Sequence, residues 1–91
     1  MKLKTRHSLE DVAHQCGFEV DVIVRFVSSE WIVPIDPLNG VFDDEDLARA
    51  RLIWELQRDF GVNDEAVPVI LHLLDQLNRA ILVGSSDGDG A

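Results

Sequence analysis

Basic side chains are scarce in this 91-residue chain: 8 Lys and Arg stand against 17 Asp and Glu, a formal net charge of −9. Lys2, Lys4 and Arg6 crowd the first seven positions. Residues 8–83 are left with Arg25, Arg49, Arg51, Arg58 and Arg79 against fifteen acids, a balance of −10. Such a surface repels phosphate backbones, whose neutralisation by Lys and Arg supplies most non-specific nucleic-acid affinity, so basic partners suit it better. A single cysteine, Cys16, excludes an internal disulfide and agrees with a reducing compartment. No apolar run approaches the ~20 residues of a membrane span; Val67 to Leu74 is broken by Pro68 and His72. Met1-Lys2-Leu3-Lys4 is not followed by the apolar stretch of a secretory signal. The expectation is a cytoplasmic protein with no membrane partner.

Apolar residues make up 46% of the chain and charged ones 27%, which suits one small folded domain and excludes wholesale disorder. We place a flexible lead-in at residues 1–7, the domain at 8–83 and a flexible polar tail, GSSDGDGA, at 84–91. Ser8-Leu9-Glu10-Asp11 reads as a helix start: a Ser cap, an acid three positions on, and carboxylates at the positive end of the helix dipole. Leu9, Val12, Ala13 and Cys16 share one face, and Gly17 ends the helix. From Glu19 to Val27 the alternation of Val20, Val22, Val24 and Phe26 argues for a strand, while Ile23, Phe26 and Val27 form a helical stripe. The pattern alone leaves both open. Trp31-Ile32-Val33 before Pro34 predicts an extended piece, Asn39-Gly40 a turn and Val41-Phe42 a return strand, together a small β-wing. Asp43 caps the clearest helix, with Leu47, Ala50, Ile53, Leu56 and Phe60 on its buried stripe; Gly61 ends it. Asn63 caps a last helix with Val67, Ile70, Leu74, Leu77 and Ile81 along one side, and Pro68 predicts a lost backbone bond or a later start.

This order of helix, Gly turn, second segment, wing, acid-capped helix and final helix resembles the winged helix-turn-helix of MerR-type regulators. Ser8 to Ala13, Cys16-Gly17-Phe18 and Phe42 to Leu47 sit at that family's signature positions. The resemblance spans roughly residues 5–82 and implies a mainly α fold of four helices with a short two-stranded β-wing, Glu19–Val27 being the second helix. Where DNA-binding members start the recognition helix with a basic residue, this chain has Asp21, and it continues Val24-Arg25-Phe26-Val27 in place of an Arg with tyrosines. The wing, which usually offers a Tyr-Arg pair to the backbone, is shortened to Asn39-Gly40-Val41-Phe42. Within the superfamily the chain is similar to the chaperone-modulator family CbpM, on Trp31 to Pro34, Val41 to Asp44 and Leu71 to Asp75. That resemblance implies an adaptor that binds and inhibits the J-domain of a DnaJ-like cochaperone of the CbpA type, with no direct nucleic-acid binding expected; the alternative is a MerR-type DNA-binding transcriptional regulator. A homodimer stays an open alternative, because the chain lacks the polar extension of the last helix through which members pair.

The residues singled out for partner binding are Asp43, Asp44, Glu45, Trp54, Glu55 and Asp59. Acids at a helix start equally serve capping, worth about 0.5–2 kcal/mol, and Trp54 equally packs against the last helix. Zinc is not expected, since His14 and Cys16 lie about 200° apart round a helix. Calcium is not expected either: with Gly40 at the turn, Ile35, Pro37 and Asn39 supply one oxygen donor where three are needed. No phosphate loop, GxSxG or HExxH occurs, so neither cofactor nor enzymatic activity is expected.

Overall fold

A computed structural model describes residues 5–87; residues 1–4 and 88–91 lie outside it. Four helices follow in order: α1 (Leu9–Cys16), α2 (Val20–Ser28), α3 (Asp44–Phe60) and α4 (Val67–Asp87). The segment that pattern left open is therefore helical. Its stripe points Ile23 and Phe26 wholly inward, while Val20 and Val24, half of the alternation that mimicked a strand, face solvent.

The first two helices form a tight corner against α3. Ser8 and Asp11 make a reciprocal capping box: the Ser8 hydroxyl accepts from the Asp11 amide at 3.1 Å and the Asp11 carboxylate from the Ser8 amide at 3.2 Å. At the far end Gly17 takes φ 79°, which lets the Phe18 amide return to the Ala13 carbonyl at 3.0 Å. α2 ends in the same way with a less suitable residue. Glu30 adopts φ 65°, its amide bonding to Val27 at 2.9 Å and the Trp31 amide to Phe26 at 3.0 Å. This reversal drives Trp31 and Ile32 into the core beside Val12, Ile23, Phe26, Phe42, Ala50, Ile53, Val67 and Leu71.

Because Trp31 and Ile32 turn inward, they do not pair with Val41-Phe42, and the expected two-stranded wing is absent as a ladder among the described residues. Two isolated bridges replace it. Asp36 pairs with Val41 across the turn (3.0 and 3.1 Å), and Phe42 pairs with His7 (2.8 Å in both directions). Pro34 and Pro37 lack amide hydrogens, so this loop cannot extend a ladder. His7, which the sequence assigns to the lead-in, is thus a buried part of the fold.

Two further expectations change. Phe60 closes the apolar stripe of α3 in sequence but is 76% exposed, because α3 ends there and nothing packs over its last turn. The last helix starts at Val67, after a turn in which the Asn63 side chain accepts from the Ala66 amide at 2.9 Å. Pro68 therefore falls within the first turn, where its missing amide costs no bond. α4 also runs through Gly84 to Asp87, past the boundary given by the polar tail; one glycine costs only about 1 kcal/mol in a propagating helix. Among the described residues, α4 reaches the core through Val67 and Leu71 in its first turns, and Leu73, Leu77 and Ile81 stand exposed. No helix among the described residues is long and apolar enough to cross a membrane.

Candidate protein-interaction surfaces

The acids singled out from sequence divide by what their carboxylates already do. Asp43 is buried as the cap of α3, accepting from the Asp46 amide at 2.9 Å. Asp44 lies 2.8 Å from His7 Nε2; the other ring nitrogen lies 3.3 Å from Gln15 Nε2, so with Gln15 donating to Nδ1 the Nε2 hydrogen goes to Asp44. Glu45 is exposed, and no hydrogen bond or ion pair engages its side chain among the described residues.

The remaining three lie farther along α3. Trp54 follows Glu45 by nine residues, about 180° round the helix, and so opens onto the opposite side of α3. There it packs edge-on against Phe18, ring centres 5.3 Å apart. Its Nε1 is buried without a hydrogen-bond partner. The Arg58 guanidinium lies 6.0 Å from the Trp54 ring and grips Asp59 with two hydrogen bonds of 2.9 and 3.1 Å, which hold the Asp59 carboxyl below the usual carboxylate range. Glu55 is exposed and lies about 80° round α3 from Glu45, and Asp59 lies about 40° from Glu45. Nearby Cys16 is an inert packing residue, its thiol pushed up by burial and its Sγ 4.0 Å from the Leu47 carbonyl. The six residues thus do not share one face: Asp43 is buried as a cap and Trp54 opens away from Glu45.

Asp46 carries a consequence for pH. Burial pushes its carboxyl above the usual range, and the neighbouring Asp43 charge adds to this, while hydrogen bonds from the Asp43 and Ile35 amides pull the other way. The folded state therefore holds the Asp46 proton more tightly than the unfolded chain does. The stability this group contributes is full at acid pH and is lost as pH rises through its raised value. Asp46→Asn should accordingly gain in stability relative to the parent between about pH 3 and pH 6, an effect read by urea unfolding at several pH values.

α2, the second helix of the helix-turn-helix, exposes Val20, Asp21, Val24, Arg25 and Ser28. Its one cation is committed within the molecule. Arg25 donates to Asp64 at 3.2 Å and to Gln57 at 3.1 Å, and its guanidinium stacks 5.3 Å from the Phe26 ring and 5.6 Å from Trp31. Between α2 and the wing loop lies an apolar groove of about 210 Å³, with Leu9, Val24, Val27, Pro34, Pro37 and Phe42 on its walls.

Residues 7–80 match the family described as MerR HTH family regulatory protein. The chain belongs to this family. The match begins at His7, the residue that closes the fold against Phe42, and takes in all four helices as far as the exposed part of α4. No curated protein matches the chain at a significant level. As a MerR-family domain it carries the helix-turn-helix in α1–α2, but with a second helix whose exposed side is apolar and acidic.

A larger cleft, about 630 Å³, opens on the Glu45 side of α3, between that helix, α4 and the Glu30-Trp31 reversal. Sequence reasoning missed two of its acids, Glu30 and Asp75, since nothing in their local pattern brings them together. The one available signal was Glu30 itself, an acid standing where the end of a helix favours glycine.

Proposed function

We propose that this MerR-family domain is a non-enzymatic modulator that binds the J-domain of a DnaJ-like cochaperone of the CbpA type through its acidic surface and prevents it from stimulating a DnaK-type ATPase. The observation that carries this reading is the state of α2: it exposes Val20, Asp21 and Val24, and its one arginine is held by Asp64 and Gln57. A helix that docks in DNA needs free cations for phosphates and polar groups for base edges. A charge of −10 over residues 8–83 instead favours a basic protein partner.

The test is calorimetric titration of a purified J-domain into the full chain. Binding at low salt is expected, weakening about tenfold between 50 and 500 mM salt as surface charges are screened. Absence of binding at 50 mM overturns the reading. The family description favours a second reading, a DNA-binding transcriptional regulator. A gel-shift complex that survives competitor DNA would establish it in place of the first.

A further inference from the structure

We infer that the cleft between α3, α4 and the Glu30-Trp31 reversal is a docking groove for a basic amphipathic helix, an inference that rests on the partner-binding reading above and assigns it to the Glu45 side of α3. Its floor is apolar: Trp31, Leu52, Leu71 and Leu74 line it. Its rim is acidic, with Glu30, Glu45 and Asp75 around it. About 630 Å³ accommodates several side chains from one face of a helix rather than the helix itself. The complementary ligand is a helix whose apolar ridge, spaced at three and four residues, is flanked by Lys and Arg.

Three observations favour such an occupant over an apolar ligand or a second copy of this chain. The groove already receives a guanidinium, because Arg49 reaches across it to Asp75 at 3.0 Å, with both side chains partly exposed. Glu30 and Glu45 face solvent without a side-chain partner among the described residues, leaving two carboxylates for incoming cations. A second copy would bring the same rim acids and a body of −10, so like charges would oppose its docking. The backbone at Glu30 adds a functional hint. An L-residue at φ 65° is strained where glycine is not, and strain retained beside a groove marks a side chain kept for contact.

The test is NMR titration of the full chain with two probes, a purified J-domain and a synthetic 18-residue Leu/Lys amphipathic helix. The amides of Glu30, Leu52 and Leu74 are expected to shift with either probe. The double substitution Glu30→Gln/Glu45→Gln should weaken binding at least tenfold, while Glu55→Gln, outside the lining of the cleft, changes it less than twofold. Glu30→Gly should raise the melting temperature and still weaken binding, separating contact from folding. If the J-domain binds but the shifts gather at Trp54 and Glu55 or on α2, the groove is overturned and the modulator reading stands. If the J-domain fails to bind while the peptide shifts the groove and responds to the double substitution, the groove stands and the modulator reading falls. Groove shifts that depend on protein concentration alone, or that neither probe produces, overturn the inference.

Discussion

Replacing Phe42 with alanine is expected to cost about 3–5 kcal/mol, a large share of the total stability of a chain this size at on the order of 0.1 kcal/mol per residue. The ring is almost wholly buried in the core, and the backbone of the same residue exchanges two 2.8 Å hydrogen bonds with His7. Truncation leaves a cavity at the junction of wing, α3 and N-terminal segment, where rigid neighbours on three sides prevent collapse. Phe60→Ala removes the same atoms from a ring that is 76% exposed and should change stability by less than about 0.5 kcal/mol. Urea unfolding followed by tryptophan fluorescence compares the two directly, since Trp31 lies in the core. Equal losses would mean that α3 continues to pack beyond Phe60.

Leu71→Ala should cost about 2–4 kcal/mol and act unevenly. Among the described residues, Val67 and Leu71 are the buried contributions of α4 to the core, and the Arg49–Asp75 pair adds a partly exposed tie worth at most about 1 kcal/mol. Weakening this anchorage favours a partly open state in which α4 has detached while α1, α2 and α3 remain packed. Hydrogen exchange would show it as accelerated exchange along α4 with protection retained at Phe26 and Ile53. Leu77→Ala, one and a half turns farther along on an exposed surface, should do neither.

The helices and their ends were legible because local chemistry specifies them. Ser8 with Asp11 and Asp43 with Asp46 form the capping boxes that their spacing predicts, and Gly17 and Gly61 take the positive φ that ends α1 and α3. What was not legible depends on where the body of the molecule stops. Phe60, Leu77 and Ile81 continue apolar stripes correctly begun, but no neighbouring element reaches them. A period gives the direction of a face and not its cover. The ambiguity at Val20 to Phe26 has a related origin: valines on the exposed side of α2 look like a strand pattern. The candidate site was half legible. Asp43, Asp44 and Glu45 were found by composition, but only the fold separates the capping Asp43 from the solvent-facing Glu45 and puts Glu30 and Asp75 on the same cleft.

The short-circuited wing has a consequence for solubility. The loop from Val33 to Leu38 carries the densest exposed apolar side chains outside α4: Val33, Ile35 and Leu38, the last 96% exposed. Arranged as a regular strand, it would offer a sticky edge on which other chains could add by backbone pairing. Pro34 and Pro37 remove two of the amides such an addition would need, and Asp36 already spends its amide and carbonyl on Val41. With so few donors left in sequence, the loop can show its apolar side chains to a partner without seeding intermolecular β-sheet. Restoring amides at both positions, as in Pro34→Thr/Pro37→Thr, would remove that safeguard from the loop.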